Sequence, residues 1–121
     1  MAQKKYSKAL RIYDSIYNQF QNHSLNDDIL FRKSQVFKIQ QMQDKAIDAL
    51  KQLEEEFPGS IILDKALFSI AKLYEEDLND FESAKKYYRK ILFDHPSSLY
   101  VIDARKRFRK LSGKTCLLYT S

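Results

Sequence analysis

Ala46-Ile47-Asp48-Ala49-Leu50, closed by Phe57-Pro58-Gly59-Ser60, returns as Ala84-Lys85-Lys86-Tyr87-Tyr88, closed by His95-Pro96-Ser97-Ser98. A third copy without proline lies upstream, from Ala9-Leu10-Arg11-Ile12-Tyr13 to Phe20-Gln21-Asn22-His23. The leading alanines stand 37 residues apart from Ala9 to Ala46 and 38 apart from Ala46 to Ala84. A fixed period of this length marks stacked supersecondary units, each too small to bury its own apolar face. Units of this kind present long surfaces to other proteins and seldom carry chemistry.

Working outward from the repeat, six helical stretches can be read. In the first, Tyr6, Ala9, Leu10, Tyr13, Ile16, Tyr17 and Phe20 recur at the three- and four-residue spacing of an apolar stripe. The second is predicted from about Asn26 to Gln41 and the third from about Gln43 to Phe57, ending at Pro58-Gly59. Ser60 is a candidate N-cap for the fourth, which carries Ala66, Leu67, Ile70, Ala71, Leu73 and Tyr74. The fifth is predicted from near Asp80 to just before Pro96. The sixth starts near Ser97 or Ser98, carries Val101, Ala104, Phe108 and Leu111, and is expected to stop at Gly113. Connections of a few residues make consecutive helices antiparallel neighbours. No stretch alternates with period two for long enough to form a strand.

These residues resemble the tetratricopeptide repeat. Leu30, Ser34, Phe37, Ala46, Leu50 and Pro58 fit its slots, and Leu67, Ala71, Tyr74, Ala84, Tyr88 and Pro96 fit them again. Small residues at 34, 46, 71 and 84 let two helix backbones approach, and the aromatics at 37 and 74 fill the space between the helices of a pair. The period is longer than the ~34 residues usual in the family. Lys33 occupies a slot that is usually apolar, and Gln21 stands where the first proline would be. The resemblance implies an all-α fold of antiparallel helix-turn-helix repeats stacked in a right-handed superhelix. On this reading residues 1–112 form the repeat domain: 1–23 the second helix of an incomplete repeat, 24–58 and 59–96 two repeats, and 97–112 a capping helix. The Phe-Pro-Gly-Ser and His-Pro-Ser-Ser closings are similar to those of bacterial cell-envelope and large bacterial scaffold members, which favours the periplasmic side of a bacterial envelope over the cytoplasm without fixing the compartment.

The family lines its concave face with the first helix of each pair. Carried across, that face comprises Asp28, Phe31, Gln35, Lys38 and Ile39, then Lys65, Phe68, Lys72, Glu75 and Glu76. Two exposed phenylalanines flanked by charges would suit an extended or helical peptide. The implied function is a non-enzymatic scaffold that binds a peptide or a partner protein.

Charge distribution adds two alternatives. The formal net charge is +5. Residues 1–104 hold 15 basic and 16 acidic side chains, whereas residues 105–114 hold six basic and no acidic ones. That asymmetry is unlike the even basicity of a nucleic-acid-binding domain, so nucleic acid is not the favoured partner. Arg105, Lys106, Arg109 and Lys110 form two i,i+4 pairs. Arg105 and Arg109 replace the slots of Leu67 and Ala71, which makes the last helix a polar cap of the array that itself binds nothing. The same ridges could instead tether the chain to an anionic surface.

At the other end, Tyr6, Leu10, Tyr13 and Tyr17 are expected to face water where a preceding helix is missing. This stripe marks the chain as the C-terminal part of a longer array, or else as an interface for self-association. Chemistry has little foothold. The two histidines, His23 and His95, have no partners at metal-ligand spacing, and two glycines cannot build a phosphate loop, so no cofactor is expected. Glu54-Glu55-Glu56 and Glu75-Glu76-Asp77 read as solvated helix ends. No apolar run approaches the ~18 residues of a membrane helix. Residues 113–121 read as a disordered tail. Its last part, Cys116-Leu117-Leu118-Tyr119-Thr120-Ser121, looks like the translation of a transposon-end sequencing adapter.

Overall fold

The computed structural model describes residues 2–19 and 26–115. The closing stretch 20–23, with His23, and the tail 116–121 lie outside the described residues. The chain divides into two compact units, residues 1–63 and 64–121.

In the first unit, α1 (Ala2–Gln19) packs on α2 (Asn26–Ile39), and α2 forms an antiparallel hairpin with α3 (Gln43–Glu56). The hairpin core is Leu30, Leu50 and Leu53, none more than 1 % exposed, with Ile29 and Ile47 beside them. The small slots behave as spacers: Ser34 is 4 % exposed and Ala46 fully buried. Between α2 and α3 the chain turns through Gln41 in the left-handed region (φ 61°) while Met42 N–H donates to the Phe37 carbonyl (2.8 Å). That bond from the third residue past the helix to a carbonyl in its last turn satisfies one of the orphan acceptors of the C-terminus.

The second unit holds α4 (Leu63–Lys72, from its second residue), a single π-helical turn (Leu73–Asp77), α5 (Phe81–Asp94) and α6 (Val101–Thr115). The π turn has a cause in the sequence. Phe37 and Ala46 are nine residues apart, but their counterparts Tyr74 and Ala84 are ten apart. Asn79 takes the left-handed position of Gln41 (φ 54°), and Asp80 N–H donates to the Tyr74 carbonyl (2.8 Å) across one residue more than Met42 spans to Phe37. Leu78 N–H reaches back five residues to Leu73, so the extra residue is wound into the wider turn. Asp80 then caps α5 by accepting from Ser83 N–H (3.2 Å). Ala71, Ala84, Tyr88 and Ile91 are fully buried, and Tyr74 stacks on Tyr87 with ring centroids 6.0 Å apart.

The two proline closings share one device. Phe57 and His95 end their helices immediately before proline. Ser60 Oγ then donates to Asp27 and accepts from Ile62 N–H, and Ser98 Oγ donates to Asp64 and accepts from Tyr100 N–H. Ser60 is therefore a turn residue and not the expected N-cap; the helices after the two closings start at Leu63 and Val101, later than the sequence suggested. At the far end α6 runs through Gly113 to Thr115. Gly113 has no positive φ, so it forms no left-handed cap, and the helix passes the expected stop.

Candidate functional site

The expected concave residues fall on the predicted helices, but two of them turn inward. On α2, Gln35, Lys38 and Ile39 are exposed, Ile39 by 58 %. Asp28 accepts from Arg32 Nε at 2.7 Å, and this hydrogen bond and charge raise the guanidinium's pKa. Phe31 is only 7 % exposed, contrary to the expectation of an open ring. It lies one residue from Leu30 in the consecutive buried run Ile29–Leu30–Phe31, so the apolar face of α2 is broader than a single stripe.

In the second unit Lys65 is exposed and Lys72 half-buried. Phe68 is half-buried: its ring meets Tyr88 edge-on at 5.8 Å and Tyr100 at 4.9 Å, with Lys72 Nζ and the Arg107 guanidinium about 6 Å from its centre. Four neighbours hold it in place, as aromatic and cation–π contacts do. Glu75, expected on a solvated face, is 7 % exposed. Its Oε1 accepts from the Tyr88 hydroxyl (2.7 Å) and from Arg107 Nη1 (3.1 Å), while Glu76, exposed, accepts from the same Arg107 nitrogen (3.2 Å).

Burial raises the Tyr88 phenol's pKa well above its ordinary 10.0, and the hydrogen bond to Glu75 adds to the shift. For Arg107, burial disfavours the charge, but the bonds to Glu75 and Glu76 outweigh it and raise the pKa. Because the folded state keeps Tyr88 protonated where an unfolded chain ionises it, its contribution to stability is full below pH 10 and declines as pH rises beyond that value. We expect one tyrosine to titrate later than the others in an alkaline absorbance titration at 295 nm, and Tyr88→Phe to remove that late component. A late component retained in Tyr88→Phe contradicts the assignment.

Beside this triad opens a cleft of about 600 Å³, lined by Glu75, Glu76, Asn79, Phe81, Asp103, Lys106, Arg107 and Lys110. The carboxylates of the π turn form one edge and the Lys106–Lys110 ridge of α6 the other. Arg105 and Arg109 are also exposed, on the neighbouring ridge, while Ala104 and Leu111 are fully buried. The sequence reading assigned no place to Arg107, Asn79, Phe81 or Asp103. One signal for the triad was present: a tyrosine in the large apolar slot of a buried helix, as Tyr88 is, needs an acceptor for its hydroxyl.

The first unit carries a separate cleft of about 690 Å³ along Asp27, Asp28, Glu56 and the turn from Phe57 to Ile62. The α1 stripe expected to face water is partly occupied. Tyr6, Leu10, Tyr13 and Tyr17 are each half-buried, and the Tyr17 hydroxyl donates to Glu56 and accepts from Gln52 Nε2 (3.3 Å).

Among the described residues no group of three His, Cys, Asp or Glu side chains could hold a metal ion. No described helix is long and apolar enough to cross a membrane. No curated protein matches the chain. The family model described as tetratricopeptide repeat matches residues 28–60 and 65–98. Those spans are the two copies that end in the Ser60 and Ser98 turns, and they cover more than half of the 121 residues. With paired antiparallel helices, alanine spacers and the repeated serine-aspartate tie in both copies, the chain belongs to the tetratricopeptide repeat family.

Proposed function

We propose that the second unit binds a segment of a partner protein in the cleft between the π turn and α6, and that the chain acts as a non-enzymatic scaffold. Tetratricopeptide repeats generally mediate protein–protein interaction, and their members are typically scaffolds without catalysis. The observation that carries the reading is the cleft's opposed charge. Glu76 on one edge and Lys106 and Lys110 on the other are exposed, with Asp103 on the same helix as the two lysines, and the triad of Glu75, Tyr88 and Arg107 fixes the wall behind them. A rigid wall with unlike charges on its two edges suits a peptide of mixed charge. The fixed register lowers the ordering cost of binding.

The test is an array of mixed-charge peptides probed with the wild-type chain, with Lys106→Glu/Lys110→Glu, and with Arg105→Ser/Arg109→Ser. The cleft reading expects the first variant to weaken its bound peptides by about tenfold or more, roughly the effect of reversing two rim charges, and the second to leave them bound. Unchanged binding in both variants would leave α6 as a cap with no ligand of its own. Selective loss in Arg105→Ser/Arg109→Ser would move the function to the terminal ridge and favour the tether.

A further inference from the structure

Arg107 holds two carboxylates on one nitrogen. Its Nη1 donates to Glu75 Oε1 (3.1 Å) and also to Glu76 Oε2 (3.2 Å). The two acceptors are not equivalent. Glu75 is buried and also accepts from the Tyr88 hydroxyl (2.7 Å), so it belongs to the wall. Glu76 has 47 % of its side chain in water, and its carboxylate has no other partner among the described residues. Glu75 alone balances the charge of the guanidinium. An ion pair as exposed as the one to Glu76 contributes little. A guanidinium presents a planar fork of N–H donors, and the bonds to both carboxylates leave from a single nitrogen. Glu76 is therefore a displaceable acceptor on a fixed donor.

The other edge of the cleft determines what displaces it. Asp103, Lys106, Arg107 and Lys110 recur at spacings of three and four on one face of α6, and all four line the cleft. Lys106 and Lys110 are exposed and make no ion pair among the described residues. An anionic group entering there meets three cations, Lys106, Arg107 and Lys110, whereas Glu76 engages Arg107 alone. A cationic group is repelled by the same three and finds Asp103 as the one lining carboxylate not already bound to Arg107. We propose that the group this cleft takes from its partner is the carboxylate of an aspartate or glutamate side chain, that it displaces Glu76 from Arg107, and that Glu76 thereby sets how strongly acidic segments bind. The inference rests on the cleft reading above and names the group that carries it. Asp103, about one turn before Lys106 and Arg107, is left to receive a basic residue of the same segment, so the ligand remains one of mixed charge. Glu75 stays on Arg107 throughout, and the wall keeps its shape.

The test uses the same array of mixed-charge peptides, each made a second time with aspartate and glutamate replaced by asparagine and glutamine. Dissociation constants are read with the wild-type chain, Glu76→Gln, Asp77→Asn and Lys106→Glu/Lys110→Glu. Asp77 is the exposed neighbour of Glu76 and is not bonded to Arg107, so Asp77→Asn removes the same charge without freeing the guanidinium. We expect Glu76→Gln to bind the acidic peptides about two- to fivefold tighter than wild type, the range of one exposed ion pair converted to affinity. Asp77→Asn should stay close to wild type at physiological ionic strength, where charges not in contact are screened. The amide versions should gain nothing from Glu76→Gln. Weaker binding in Glu76→Gln makes Glu76 a direct contact of the partner and overturns the displacement, while the cleft reading stands. Unchanged binding in Glu76→Gln, an equal gain in Asp77→Asn, or an equal gain for the amide versions overturns it in the same way. Peptides that bind wild type and Lys106→Glu/Lys110→Glu alike lie outside the cleft, and the absence of any bound peptide leaves the cleft without a ligand; in either case the cleft reading falls and this inference falls with it.

Discussion

Glu75→Lys is expected to cost the fold about 3–5 kcal/mol, the loss that follows when one partner of a buried charged pair is taken away. Glu75 is 7 % exposed and faces Arg107 at 3.1 Å. An ammonium in its place meets a guanidinium of like charge and leaves the Tyr88 hydroxyl without its acceptor. Glu75→Met makes the informative contrast. It removes the charge and keeps the volume, and Arg107 retains Glu76 at 3.2 Å and about a third of its surface in water. Arg107 is therefore not left as an uncompensated buried charge, so we expect Glu75→Met to cost no more than about 1–2 kcal/mol, chiefly for the stranded Tyr88 hydroxyl. Urea denaturation of the two variants checks both values. Similar costs for Lys and Met would mean that packing, not charge, sets the site, and the rigid wall assigned to the cleft would lose its basis.

The repeat, its all-α class and the helix pairs were legible because they follow from spacing. The apolar and small residues that match between copies lie on the faces the period assigns them, and Ser34, Ala46, Ala71 and Ala84 are all closed positions. Side chains whose environment depends on the next element were not legible. Glu75 occupies the slot that Lys38 holds in the first copy, and Lys38 is exposed. Nothing local distinguishes the two; the difference is made by Arg107, 32 residues onward, and by the Tyr88 hydroxyl. Arg107 was hidden in a basic run that read as one exposed face. The π turn had a visible trace, the tenth residue between Tyr74 and Ala84, but spacing alone does not say whether an extra residue lengthens the loop or widens the helix. On α1 the degree of cover was not legible: the tyrosines are half-buried while Ile12 and Ile16 are exposed, and helical period alone does not say which part of a broad apolar face the neighbouring helix takes.

That choice of face has a stability signature. Leu53→Ala should cost about 2–5 kcal/mol, since deleting a fully enclosed branched side chain forfeits its transfer energy and leaves a cavity that the hairpin of α2 and α3 fills only in part. Leu53 has no exposed surface, and it sits between Ala49 and the helix end at Glu56, where the Phe57 N–H closes on its own carbonyl at 2.8 Å. Ile16→Ala removes a side chain of equal size from the same slot one repeat earlier. With 38 % of Ile16 already in water, the substitution opens a groove that solvent enters freely, and the expected cost is below about 1.5 kcal/mol. Chemical denaturation at low protein concentration measures both. A large cost for Leu53→Ala beside a small one for Ile16→Ala is what an open stripe on α1 requires. Should the two costs be alike at micromolar protein and diverge on dilution, the stripe is being covered by another copy. Should they be alike at every concentration, α1 is closed within the chain, and the stripe of Ile12 and Ile16 is not open to solvent.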